Sequence, residues 1–252
     1  MRLDRILPIA ALALALLLSL PAVLASPKDA GIAAEVRQAL NQSSELRQSS
    51  RLGVRCEEGI LTISGGAATL HLLDDARRIA ASVPGVVDVV MMARVSRGQV
   101  SDTQIRYALN QALRELSGAL RELKAQVGLG KVVLTGSAGT YGQKQEVEET
   151  VSKIRGIVAI VNRIEVSATS NAGGALGRHV ERKIVEDLPV RPAKLDVRMQ
   201  DGKALLRGRV PLFLYRMQAE NAALSVPGVV QVENHLIVDP ALVSVPSGQE
   251  SP

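Results

Sequence analysis

The chain has 252 residues and a net charge of +5, with one Phe, three Tyr and no Trp. Proteins that bind single-stranded nucleic acid stack bases on aromatic rings, so this composition argues against a nucleic-acid partner, and the charge is too small to require a polyanion by itself. The single cysteine, Cys56, cannot form an internal disulfide.

The first 25 residues have the pattern of a cleavable secretory signal peptide. Arginines near the start precede an apolar run from Ile6 to Leu20, which is too short for a comfortable membrane span. Small residues then lead to Ala25, after which we expect cleavage. Residue 26 is serine rather than cysteine, so no lipid anchor is expected there. The sequence thus predicts export to the periplasm.

Three glycines recur at fixed offsets in three successive copies. Within each copy the second glycine follows the first by six residues and the third follows twenty residues later, and the copies begin 71 and 72 residues apart. The nine positions are Gly59, Gly65, Gly85, Gly130, Gly136, Gly156, Gly202, Gly208 and Gly228. Each falls at a predicted turn or helix end, so we interpret them as structural glycines rather than as phosphate-binding loops.

In chain order, each copy begins with an amphipathic helix, marked in the first copy by Ile32, Val36 and Leu40. Alternating apolar residues on both sides of the first glycine predict a β-hairpin. Helical spacing then returns, and this second helix ends at Pro-Gly in copies one and three but at Arg155-Gly156 in copy two. A short apolar run closes each copy, at residues 86–90, 157–161 and 229–232.

The pattern predicts an α+β fold of three tandem αββαβ units, each a three-stranded sheet with two helices on one face. We place the units at residues 29–96, 101–167 and 175–239, followed by a flexible tail at 240–252. Ser101 and Gln104 predict a capping box at one first helix. Because the closing runs are apolar on both faces, we expect the units to dock through the open faces of their sheets.

No group of residues predicts catalysis or metal binding. In the repeat register Cys56 aligns with Val127 and Met199 on a buried strand face, which favours a core residue over a redox site. The histidines share no register and lack metal-ligand spacing. No nucleophile, Walker or dinucleotide pattern occurs in a suitable context. The sequence therefore predicts no enzyme, no cofactor and no metal site.

The third hairpin carries a cluster of cations. Arg198, Lys203, Arg207 and Arg209 are predicted to project from the face opposite the buried residues. Such a cluster could contact anionic lipid headgroups, or it could be a solvated sheet face kept soluble by its charges. Interfacial anchors are usually Trp or Tyr, and the candidates outside this cluster are Tyr107, Phe213 and Tyr215.

The third copy resembles the BON domain, named for osmotically inducible periplasmic and nodulation proteins. The residues that carry the resemblance are the stretches 202–210 and 227–234, which end at Asn234. Copy two keeps Asn162 but lacks the proline, and copy one has Val90-Met91 where the asparagine is expected. The resemblance implies envelope localisation and a non-catalytic role in binding phospholipid, protecting the envelope under stress, or acting as a chaperone.

The leading hypothesis is a non-catalytic periplasmic envelope protein that binds anionic phospholipid surfaces peripherally and supports envelope integrity. One alternative is a periplasmic chaperone or osmotic-stress protein with outer-membrane protein clients. Another is a self-assembling structural module, for which self-association is the expected partner interaction.

Overall fold

The computed structural model of the protein describes residues 26–116, 120–166 and 173–242. The predicted signal peptide and residues 243–252 of the predicted tail lie outside the described residues. Within them the chain forms three successive αββαβ units, which confirms the α+β fold class predicted from the sequence.

Unit 1 contains one short helix and one short strand beyond the predicted pattern. Its elements are α1 (Pro27–Gln42), α2 (Ser44–Ser49), β1 (Ser50–Glu57), β2 (Ile60–Ala67), α3 (Leu70–Ala81), β3 (Asp88–Met91) and β4 (Arg94–Val95). Strand β2 is central, with β1 antiparallel on one side and both β3 and β4 parallel on the other. The closing strand of this unit is therefore interrupted once.

Units 2 and 3 keep the simple pattern. Unit 2 comprises α4 (Asp102–Leu116), β5 (Leu120–Gly128), β6 (Lys131–Ala138), α5 (Tyr141–Ser152) and β7 (Ala159–Val166). Unit 3 comprises α6 (Gly173–Asp187), β8 (Ala193–Gln200), β9 (Lys203–Val210), α7 (Phe213–Ser225), β10 (Gln231–Val238) and a 3-10 turn (Pro240–Leu242). The second hairpin strand is central in both sheets and pairs in parallel with the closing strand.

Local hydrogen bonds fix where the helices begin. The predicted capping box of α4 is confirmed, because the Ser101 hydroxyl accepts the Gln104 amide at 3.3 Å and the Ser101 amide donates to Gln104 Oε1 at 2.9 Å. At α3 the Thr69 hydroxyl accepts the amide of Leu72 at 3.3 Å. Each cap satisfies a backbone donor that the first turn of a helix leaves unpaired.

All nine repeated glycines have a positive φ. Two of them also face each other in each unit, where the hairpin turn meets the end of the second helix. A Cβ on Gly59 would lie 2.8 Å from the carbonyl oxygen of Gly85, and a Cβ on Gly130 would lie 2.7 Å from that of Gly156. Backbone packs directly on backbone here, so a larger residue would have to push the turn away from the helix.

The closing strands begin two residues later than the sequence predicted and continue to Val166 in unit 2 and Val238 in unit 3. The residues before them, Val86, Ile157 and Val229, are almost fully buried. The chain crosses from the helix layer to the sheet layer at this point, which carries these side chains into the core. The continuous apolar run is therefore a buried connection followed by a strand, rather than a strand covered on both faces.

The three units dock, as expected, although the predicted surface is wrong. Units 1 and 3 share one hydrophobic core, and the second helices α3, α5 and α7 contact one another, with Leu70 touching both this core and that of unit 2. On the open sheet face of unit 1, Ile60 and Val90 remain 43% and 44% exposed. In the closing run of unit 2, Val158 does pack against the core shared by units 1 and 3. Helix packing replaces sheet packing because each second helix begins with an apolar or aromatic residue, Leu70, Tyr141 or Phe213, that packs beyond its own unit.

Candidate lipid-facing surface

The helix-free face of the unit 3 sheet carries the four cations singled out in the sequence. On the central strand β9, Ala204 and Leu206 are buried under the helices, so the alternating residues face outward. These outward residues include Lys203, Arg207 and Arg209. Arg198 on β8 pairs in register with Leu205 and therefore lies on the same face. The structure thus brings all four side chains to one surface, which we call the basic sheet face.

Most of this charge is locally compensated by carboxylates. Three exposed ion pairs form: Arg198 with Asp196 at 3.0 Å, Lys203 with Glu233, and Arg209 with Asp239 at 3.6 Å. The hydrogen bond and charge of Lys203 lower the pKa of the Glu233 carboxyl below its ordinary value. Exposed pairs of this kind contribute about 0–1 kcal/mol each, so an incoming anion can displace them at small cost.

Arg207 differs from its three neighbours. It lies in the middle of the sheet, in register with Asp196 on β8 and with His235 on β10. Among the residues that the structure describes, no carboxylate lies within salt-bridge distance of its guanidinium. The centre of the basic sheet face therefore presents one uncompensated positive charge. Sequence reasoning could not separate Arg207 from the rest, because the partners Glu233 and Asp239 come from a different part of the chain.

Cys56 is confirmed as a buried residue, 2% exposed. Its Sγ donates to Oδ1 of Asp29 at 3.4 Å. Burial, followed by the nearby Asp29 carboxylate, raises the pKa of the Cys56 thiol to about 11. The thiol is therefore protonated and shielded at neutral pH, which is the opposite of what a reactive cysteine requires.

Asp29 holds the first hairpin turn against the start of α1, a role that the sequence did not predict. Its carboxylate accepts the Gly59 amide at 3.0 Å and the Ser26 hydroxyl at 2.6 Å. Hydrogen bonds from Ser26 first and Gly59 second lower the pKa of the Asp29 carboxyl to about 2. The repeat register does not reveal this clamp, because the spacing differs between units. Asp29 lies 30 residues before Gly59, whereas Asp102 of unit 2 lies 28 residues before Gly130.

In unit 2, Asp102 makes the corresponding clamp. It accepts the amides of Gly130 at 2.9 Å and Leu129 at 2.8 Å, and these bonds lower the pKa of its carboxyl. In unit 3 the sequence has glycines at 173 and 174, at the start of α6. Among the described residues, the clamp therefore occurs in the first two units.

The motif asparagine ties the closing strand to the second helix. In unit 3, Asn234 Nδ2 donates to the carbonyl of Arg216 at 2.8 Å and to Glu220 Oε2 at 3.2 Å, and Oδ1 accepts the Leu236 amide at 3.2 Å. Asn162 makes the same three kinds of bond in unit 2. A thioether cannot make these bonds, and in unit 1 the closing strand β3 ends at the equivalent residue, Met91.

The part of the chain that the structure describes contains no candidate metal site and no candidate membrane-spanning helix. Its His, Cys, Asp and Glu residues form no group of three or more that could hold a metal ion. His71 contacts a single carboxylate, Asp75, at 3.4 Å. None of its helices has both the length and the apolar character needed to cross a bilayer.

Comparison with known proteins agrees with the repeat. The BON domain matches three times, at residues 28–97, 101–168 and 174–240, which together make up most of the chain. These segments agree closely with the three units predicted from the sequence. No curated protein matches the chain.

The chain is similar to two solved structures of CdsD, a structural protein of the type III secretion system of Chlamydia trachomatis. The first, its C-terminal domain, has 13% identity and a TM-score of 0.23, covering 81% of this chain and 96% of that one. The second has 12% identity and a TM-score of 0.23, covering 81% and 92%. Likeness at this level carries no argument about assembly.

Proposed function

Because the chain belongs to the BON-domain family, we propose that it is a non-catalytic protein of the periplasmic envelope that binds anionic phospholipid surfaces peripherally and so supports envelope integrity. Proteins with this domain are typically envelope-associated modules of the phospholipid-binding type and are generally non-catalytic. Export by the signal peptide predicted at residues 1–25 would deliver the chain to that compartment.

The observation that carries the proposal is the basic sheet face of unit 3. Its four cations lie on an exposed surface without covering helices, and each cation close to an anionic membrane is worth about 1 kcal/mol. Headgroup phosphates would exchange with Asp196, Glu233 and Asp239 and would meet Arg207 directly. Binding of this kind is electrostatic, so it should weaken steeply as salt screens the charges.

Aromatic anchoring contributes little to this mode of binding. Phe213, one of the three candidates from the sequence, is buried at 4% exposure and cannot insert into an interface. Tyr107 is 69% exposed, but it lies on α4 of unit 2, and Tyr215 packs against the core that units 1 and 3 share. The proposed contact therefore depends on charge rather than on inserted rings.

Vesicle flotation with two matched double variants tests the proposal. Arg198→Gln with Arg207→Gln removes two charges from the basic sheet face, whereas Arg178→Gln with Arg182→Gln removes two exposed charges from α6 of the same unit. We expect the first double variant to bind phosphatidylglycerol vesicles roughly thirtyfold more weakly, about 2 kcal/mol, and the second to bind like wild type. Equal binding by both variants would show that the basic sheet face does not contact the vesicle.

A chaperone function is the second candidate, and exposed apolar residues of unit 1 favour it. Ile60 on β2 and Val90 on β3 lie on the open face of the sheet, and Met92 follows them in an exposed position. A patch of this kind can hold an unfolded apolar segment. Suppression of aggregation of an unfolded outer-membrane protein, lost in Ile60→Thr with Val90→Thr, would support this function. Suppression unchanged in that double variant would argue against the patch.

A further inference from the structure

A groove of about 870 Å³ lies where unit 1 meets unit 2. Its walls come from α2 and the start of β1, from the end of β2, from the linker at residues 96–100, and from the end of the second helix of unit 2. Four arginines line it: Arg47, Arg51, Arg97 and Arg155. Among its described lining residues there is no aspartate or glutamate.

Three of these arginines have no carboxylate partner among the residues that the structure describes. Arg97 is neutralised by Asp102 at 2.5 Å, and its Nε donates to the carbonyl of Val100 at 3.1 Å. Within the described parts of the chain, Arg47, Arg51 and Arg155 form no ion pair and are exposed to solvent. The groove therefore concentrates more uncompensated positive charge than the basic sheet face, where three of four cations are paired.

Two of the groove arginines, Arg47 and Arg155, depart from the repeat. Arg155 stands where copies one and three have Pro84 and Pro227, which follow the ends of the other second helices. Helix α2, which carries Arg47, has no helical counterpart at residues 188–192 of unit 3. Arg47 and Arg155 are therefore not needed to build the shared fold, and Arg155 lines the same groove as the unit 1 arginines only because units 1 and 2 are docked.

The chemistry of the lining matches a phosphate group. Guanidinium groups bind phosphate oxygens through paired N–H donors and hold their charge at any physiological pH. The lining of the groove also includes Gly65 and Gly66, which have no side chains to fill it. We propose that this groove binds the phosphate group of a small phosphate ester, between Arg47 and Arg51 of unit 1 and Arg155 of unit 2. The site extends the proposed lipid binding but does not require a bilayer, since the ligand enters a concave space.

Isothermal titration calorimetry of the full chain tests the site with three soluble probes. These are inorganic phosphate, glycerol 3-phosphate, and short-chain phosphatidylglycerol below its critical micellar concentration. Arg155→Pro restores the residue found in the other copies and so removes one charge with little risk to the fold. Arg47→Gln with Arg51→Gln removes two charges from the other wall. Each lost arginine should weaken binding about fivefold, while Arg178→Gln with Arg182→Gln should leave it unchanged. Circular dichroism checks that every variant is folded.

The outcomes separate the sources of the phosphate and separate this site from the basic sheet face. Binding of glycerol 3-phosphate identifies a free phosphate ester, whereas binding of short-chain phosphatidylglycerol alone identifies a lipid headgroup. In either case Arg198→Gln with Arg207→Gln should leave the titration unchanged. No binding of any soluble probe by the folded wild-type chain, or binding that survives both groove variants, would overturn the proposal.

Discussion

The guanidinium of Arg77 in unit 1 lies over the ring of Phe213 in unit 3, with Cζ 6.0 Å from the ring centroid. In the repeat register Phe213 corresponds to Tyr141 in unit 2 and to Leu70 in unit 1. All three pack against the core of another unit or contact one of its residues. One repeated position at the start of each second helix therefore joins the three units into a single body.

This junction makes Phe213 a stability determinant for the whole chain. Phe213→Ala removes a buried ring that contacts two units and should lower the free energy of unfolding by about 3–5 kcal/mol. Tyr107→Ala, which truncates an exposed ring, should change it by less than about 0.5 kcal/mol. Urea denaturation followed by circular dichroism measures both.

Limited proteolysis tests whether this junction holds the three units together. If the units are one body, cuts at residues 97–101 or 168–174 should leave fragments that stay together on gel filtration. Release of stable single units, or a loss below about 1 kcal/mol in Phe213→Ala, would show that the units are independent.

The asparagine of the closing strand should contribute measurably to stability. Asn234→Ala deletes three partly buried hydrogen bonds, to the Arg216 carbonyl, the Glu220 carboxylate and the Leu236 amide. We expect a loss of about 1–3 kcal/mol in chemical denaturation. Asn221→Ala, at an exposed position on α7, is the matched control and should be nearly neutral. Equal effects of the two substitutions would show that the Asn234 hydrogen bonds between strand and helix do not stabilise the fold.

The Asp29 clamp predicts a specific acid sensitivity. The folded-state pKa of about 2 lies below the ordinary aspartate value, so the ionised carboxylate stabilises the fold. This contribution is complete above the unfolded pKa, near 4, and is lost as the pH falls towards 2. Asp29→Asn should therefore lose less stability than wild type between pH 5 and pH 2. Parallel stability curves for the two proteins in urea denaturation would contradict the clamp.

Cys56 should be inert in the folded protein. Its thiol is buried and its pKa is raised to about 11, so an alkylating reagent finds neither access nor thiolate at neutral pH. Mass spectrometry should show modification only after denaturant is added. Rapid labelling of the native chain, with its secondary structure intact, would contradict this assignment.

Much of the fold was accessible from the sequence because the repeat is local. Glycines such as Gly59 and the alternating residues of each hairpin report backbone and strand geometry within about thirty residues of chain. The sequence predicts the wrong docking surface because periodicity describes how an element faces its own unit. It cannot show that Leu70 and Phe213 also face a neighbour.

The charged surfaces were only partly predictable for a related reason. The outward direction of Arg207 follows from strand alternation, whereas the pairing of Lys203 with Glu233 depends on the parallel register of β9 and β10. The groove around Arg155 requires knowledge of how units 1 and 2 dock. The departure of this residue from the Pro-Gly pattern was the visible signal.

Flotation of the full mature chain tests most directly whether the protein binds anionic phospholipid surfaces. Vesicles of phosphatidylcholine are compared with vesicles containing phosphatidylglycerol or cardiolipin, at low and at high salt. We predict flotation with the anionic vesicles at low salt, release at high salt, and no flotation with phosphatidylcholine alone. A folded protein that stays at the bottom of the gradient with every composition, whatever the salt, would contradict the proposed function.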